Sequence, residues 1–286
     1  LVPLRRLAGL LLPLFGAALL VVPYLPVLPD RLPALQALAG PGRWIVWCAV
    51  LTQLAWVIAP LLPRVTGWWT ARSLRTQTAV VGLATAAAMS AGAARLTHTV
   101  LFPSGDEPHY LILAQSLWLD HDLKIENNHK RGDYQAYFGR DLDPHYLTRG
   151  KDGEIYSVHP VGMPVLITPV FAAGGYDGVV AFFIAMAATG AAVAWRWTIG
   201  LTGALGTTTL AWVAIAFSAP LLVNAFTIYP EIPAALAVIL SLALVIRPTP
   251  DLSRWRPWTV GLLAATLPWL STKYAPMSAA IVAVAA

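Results

Sequence analysis

Long apolar runs separated by short polar segments dominate the chain. Runs of about 20 residues, enough for a helix to cross a hydrocarbon core, recur at roughly 8–28, 43–62, 77–98, 176–195, 206–224, 231–246 and 258–272. The runs are continuously apolar instead of alternating, which predicts helices and argues against a strand barrel. One stretch, 158–173, is apolar but only about 16 residues long and carries Pro160, Pro164 and Pro169. It is expected to be an interfacial or re-entrant element and not a span. The pattern therefore predicts an all-α, polytopic transmembrane bundle of about 7–8 spans. Residues 1–76 would hold the first two spans, and residues 77–286 a second unit containing the polar loop 103–175.

Arginines decide the expected orientation. With Arg5 and Arg6 on the cytoplasmic side, the linker with Arg64, Arg72 and Arg75 also falls inside, as do Arg196 and the group Arg247, Arg254 and Arg256. All nine sit in short cytoplasmic loops only if 158–173 stays on the outer surface. The loop 103–175 is then extracytoplasmic, and Asp106, Glu107, Glu231 and Lys273 share that face. The chain starts with Leu1 and stops inside an apolar run at Ala286, so both ends are read as truncated.

Composition supports the membrane reading. The chain is 57% hydrophobic and 12% charged, with a mean hydropathy of +0.64, whereas soluble domains carry about 25% charged residues. The net charge of +5 has no basic cluster with interleaved aromatics behind it, so no nucleic-acid partner is expected. A single cysteine, Cys48, permits no intrachain disulfide.

The chemistry is concentrated in one place. Ten of the fourteen acidic residues and five of the six histidines lie between Asp106 and His159. Ser104-Gly-Asp-Glu107 has the form of a capping box ahead of a helix over about 108–119, taken to lie on the membrane. The same acids stand at the membrane edge of a polar loop, where an ionisable group is costly without a use, and a carboxylate there can take a proton from an arriving hydroxyl. Arg149-Gly-Lys-Asp-Gly-Glu154 predicts a hairpin turn. Glu231 opens a short span, and Lys273 is either a snorkelling lysine or a cation for a lipid-borne phosphate. The histidines His109, His121, His129, His145 and His159 match no compact ligand motif, and Asp141-Leu-Asp143 is a three-residue match only, so no cofactor is expected and a divalent metal is weakly supported.

Taken in order, Gly105-Asp-Glu-Pro-His-Tyr-Leu111, Tyr156-Ser-Val-His-Pro-Val-Gly-Met-Pro164, Tyr229-Pro-Glu231 and Ser271-Thr-Lys-Tyr274 resemble the polytopic GT-C glycosyltransferases, which include protein O-mannosyltransferases and the lipid A aminoarabinose transferase. The likeness covers roughly 77–286. It implies a transferase of the cell envelope, in a bacterial inner membrane, that moves a sugar from a polyprenyl-phosphate donor to an extracytoplasmic glycan, lipid or protein acceptor with inversion. It implies Asp106 or Glu107 as the base, and substrate contacts from His109, Tyr110, Tyr156, His159, Glu231 and Lys273. Lys124 or Arg131 would help balance the leaving phosphate. The competing reading is a transporter or flippase of a lipid-linked substrate, which would show broken helices in two related halves.

Overall fold

The computed structural model describes residues 16–25, 31–40, 42–58, 62–99, 101–246 and 255–285. It is helical throughout, with no β-strand among the described residues. The chain divides into two compact units, Leu1–Ser73 and Leu74–Ala286. In the first, α1 (Gly42–Ile58) and α2 (Leu62–Thr70) are preceded by short 3-10 turns at Val22–Tyr24 and Pro33–Leu38. Of the expected run 8–28 only residues 16–25 are described. The orienting residues Arg5, Arg6, Arg247 and Arg254 lie outside the described residues.

The second unit is built on α3 (Leu74–Leu96), α4 (Glu107–Leu119), the short α5 (Glu126–Arg131) and a long α6 (Gly162–Thr202). After these come α7 (Leu205–Ala216), α8 (Ala219–Asn224), α9 (Glu231–Val245), α10 (Arg256–Leu270) and α11 (Ala275–Ala285). Helices α3 and α6 are long and apolar enough to cross a membrane; α7 and α9 are shorter apolar helices. Proline marks several starts, at Pro108, Pro220 and Pro257, where its missing N–H is no loss and its fixed φ suits the first turn.

Helix α6 is the hub, packed against α3, α4, α7, α9 and α10. It is two helices joined at Gly175, whose φ of 57° and ψ of −149° are open to glycine alone. The break falls where the expected short element 158–173 meets the expected span 176–195. Small residues let α3 and α6 approach closely: a Cβ added at Gly82 would meet Ala192 at 3.4 Å. Trp212 of α7 donates its indole N–H to Thr85 on α3 at 3.0 Å, giving a polar tie between two apolar helices. Met89, Ile167, Phe183, Ile228, Ile232 and Leu267 fill the core, while Leu83, Leu210, Trp258 and Leu262 are fully outward.

Two expectations change. Helix α4 is buried within the protein and has no open apolar face: Tyr110, Leu111 and Ala114 join the main core, Ile112 packs on Tyr134 and Leu142, and Leu113 packs on Ile125 and Ile155. Its apolar residues run all round the helix, which makes it a buried element clasped by its own loop. The run 206–224 is broken between α7 and α8, where Ser218-Ala-Pro220 stops one helix and starts the next. The turn at 149–154 forms as expected: Gly150 N–H donates to the Glu154 carbonyl at 2.8 Å, Gly153 takes φ of 83°, and Tyr156, just after the turn, pairs with the distant Lys124 as an isolated bridge.

Candidate functional site

The two acids of the pair have different fates. Glu107 is fully buried. Its Oε2 accepts from the Ser104 N–H at 2.7 Å, and its Oε1 accepts from the Ile228 N–H at 2.7 Å. One arm of the expected capping box is therefore present, with the glutamate reaching back to the Ser104 amide. The second oxygen does something the local sequence cannot show, tying the entry of α4 to the segment that leads into α9. Burial pushes the Glu107 carboxyl up, and the backbone hydrogen bonds from Ile228 and Ser104 pull it down. Tyr229 adds a second tie across the same gap: its hydroxyl donates to the Ser104 carbonyl at 3.1 Å and accepts the Asp106 N–H at 3.2 Å. Gly105, at φ of 56°, is required here twice over, since any Cβ would also strike the Tyr229 hydroxyl.

Asp106 makes none of these bonds with its side chain, which is 46% exposed. Its Oδ1 lies 3.9 Å from His145 Nδ1 and 4.0 Å from His159 Nε2. The three elements that meet here are the first turn of α4, the extended segment before the 149–154 turn, and the residues entering α6. The His109 and His145 rings are stacked with centroids 3.7 Å apart, the His159 ring lies 5.4 and 5.6 Å from them, and Tyr110 is 5.0 Å from His159. Burial, with His145 and His159 beside it, pushes the His109 imidazole down to about 3. His159 is also lowered by burial, against the opposing pull of Asp106.

Glu231 and Lys273 form the second half of the site. They pair at 2.6 Å, and the Lys273 ammonium also lies 5.1 Å from the Tyr274 ring centroid. The Glu231 carboxylate holds the Lys273 ammonium above its usual range. Tyr110 stands in the field of both halves. Burial pushes its hydroxyl up to about 12, and the charges of Asp106 and Glu231 add to that. Acids, histidines and lysine from distant parts of the sequence thus gather at one end of α9 and α10.

Other expected residues go elsewhere. Tyr156 donates its hydroxyl to Asp152 at 2.7 Å within the hairpin, which fixes the turn and keeps Tyr156 out of the histidine group. Lys124 pairs with Glu154 at 3.1 Å, and Arg131 pairs with both Asp120 and Asp133, so these loop cations are committed to holding the loop together. His145 was not singled out by sequence. Its only signal was the general histidine enrichment of the loop.

Two clefts open in the same unit. An apolar one of about 310 Å³ lies between α6, α9 and α10, lined by Val165, Leu166, Met186, Leu236, Leu263 and Leu270. A polar one of about 550 Å³ sits at the Gly175 break, lined by residues that include His98, Tyr137, Tyr176 and Asp177.

Comparison with protein-family models, with curated proteins and with solved structures finds no match.

Proposed function

We propose that the chain is an integral-membrane glycosyltransferase that moves a sugar from a polyprenyl-phosphate donor to an acceptor on the extracytoplasmic side. Asp106 is the base in this reading and Glu107 is its structural neighbour. The observation that carries it is the division of labour in the acid pair: both Glu107 oxygens are spent on backbone amides, while the Asp106 carboxylate is half-exposed beside two imidazoles. A carboxylate so placed can take the proton of an acceptor hydroxyl as it attacks the anomeric carbon from the face opposite the phosphate, with inversion.

Donor chemistry fits the other half. Leu270 lines the apolar cleft and stands three residues before Lys273, so a prenyl chain held in the cleft would have its phosphate within reach of the Lys273 ammonium. Lysine binds phosphate as a point charge and would stabilise the charge that develops on the leaving group. The outward leucines and tryptophans of α3, α7 and α10 fit a lipid surround better than water. A bundle of 7–8 spans follows if the apolar helices around α6 also cross, with residues 162–174 lying at the outer surface and Gly175 turning the chain into the bilayer.

The test is transfer by the protein in liposomes, using radiolabelled polyprenyl-phosphate sugars and an acceptor extract. Wild type should move label from the lipid. Asp106→Asn should lose about 100-fold or more of that rate, the usual scale for a missing general base, without loss of melting temperature. Transfer by Asp106→Asn at the wild-type rate would end the role of Asp106 as base, no transfer by wild type would end the transferase reading, and label that crosses the bilayer without leaving its lipid would indicate a transporter.

A further inference from the structure

We propose that His109, His145 and His159 form a binding site for one divalent transition-metal ion of the zinc class, with its open side toward Asp106. One ligand nitrogen from each ring lies within 4.8 Å of the other two. His145 Nδ1 and His159 Nε2 are 3.4 Å apart. Two nitrogens bound to a tetrahedral zinc at about 2.0–2.1 Å stand about 3.3 Å from each other, so this pair already has the separation that coordination demands. The centroids of the His159 ring, 5.4 and 5.6 Å from the other two, match rings that radiate from a shared ion at roughly 5 Å.

Only the stacked pair has to open. His109 and His145, at 3.7 Å, must fan apart by about 1.5 Å to present both nitrogens to one ion. His109 is held within α4 and is buried, whereas the His145 side chain is 48% exposed on an irregular segment and is the ring that moves. Three imidazoles select ions at the nitrogen-preferring end of the first-row series, in place of magnesium or calcium, which take oxygen. The Asp106 carboxylate, about equally far from two of the ligand nitrogens, faces the remaining position and offsets the ion's charge.

The probe is Zn²⁺ itself, measured by elemental analysis of the full chain purified without a polyhistidine tag, followed by Co²⁺ substitution. Wild type should hold about one equivalent and show the intense visible bands of four- or five-coordinate cobalt. His145→Ala, at a half-exposed position, and His159→Gln should each bind Zn²⁺ at least about 10-fold more weakly while melting like wild type. His121→Asn, which suits the left-handed backbone at that position, should bind as wild type does. Only the weak bands of hydrated cobalt in wild type, or equal Zn²⁺ in wild type and His145→Ala, would overturn the site and leave a stack of histidine rings. The inference stands apart from the transfer reaction: loss of transfer in Asp106→Asn without any bound metal would sink this site alone, and bound metal with full transfer in Asp106→Asn would sink the role of Asp106 as base alone.

Discussion

Replacing Glu107 by glutamine changes one atom and should unsettle the fold more than it looks. In the native protein each carboxylate oxygen accepts one backbone N–H at 2.7 Å, from Ser104 and from Ile228. A glutamine can supply one acceptor only, so one of those amides must face an NH₂ group. Hydrogen bonds to a charged acceptor contribute about 1.5–3 kcal/mol each, and an unsatisfied buried donor costs about 1–3 kcal/mol. Relief from burying a charge offsets part of that loss, which leaves a net destabilisation of about 1–3 kcal/mol. At roughly 2–4 °C per kcal/mol for a chain of this size, the melting temperature should fall by about 2–12 °C.

The pH dependence supplies a second reading with a definite sign. Because the folded pKa of Glu107 is raised above 4.5, the stability linked to its protonation is fully present below pH 4.5 and is lost as pH rises through the folded pKa. Glu107→Gln removes that titration, so its deficit relative to wild type should be larger at pH 4.5 than at pH 8. Asp106→Asn, whose side chain makes no hydrogen bond, should melt within about 0.5 kcal/mol of wild type. Differential scanning fluorimetry of the three proteins in one detergent decides the matter. A Glu107→Gln variant that melts with wild type, beside an Asp106→Asn variant that does not, would refute the division of roles between the two acids.

Three further outcomes are expected. Tyr229→Phe removes both hydroxyl bonds to residues 104–106 and should cost about 1–2 kcal/mol of stability on thermal melting, with slower transfer because the Asp106 backbone loses its anchor. Lys273→Met breaks a half-exposed pair with Glu231 and should shift stability by less than about 1 kcal/mol, yet raise the Kd for polyprenyl phosphate at least about 10-fold; unchanged affinity would return Lys273 to a purely interfacial role. Gly175→Ala forces a side chain into backbone space reserved for glycine and should destabilise by about 1–3 kcal/mol, read as a lower melting temperature, although its Cβ meets nothing within 4 Å.

What sequence revealed and what it hid divide along the distance over which each cause acts. Helix limits follow local pattern: runs expected at 77–98, 231–246 and 258–272 appear as Leu74–Leu96, Glu231–Val245 and Arg256–Leu270. Ser104 and Glu107 meet as the capping pattern foretells, because their partner is three residues away. The break at Ser218-Ala-Pro220 had a local signal, a proline two residues after serine, but continuous hydrophobicity on both sides masked it and 206–224 was read as one run. The choice between Asp106 and Glu107 had no local cause. It depends on the Ile228 amide and the Tyr229 hydroxyl, brought in from more than 120 residues along the chain by helix packing. The histidines are the same case in stronger form. A ligand motif advertises itself when its residues sit on one helix or turn, and here each ring comes from a different segment, so only the clasp of the loop around α4 makes them neighbours. The buried glutamate and the exposed aspartate have separate tasks: Glu107 holds the α4 entry against the segment leading into α9, and the fixed entry leaves Asp106 facing the imidazoles. A substitution that loosens the tie should therefore slow any chemistry at Asp106 without touching Asp106 itself, whereas one at Asp106 should leave the tie intact.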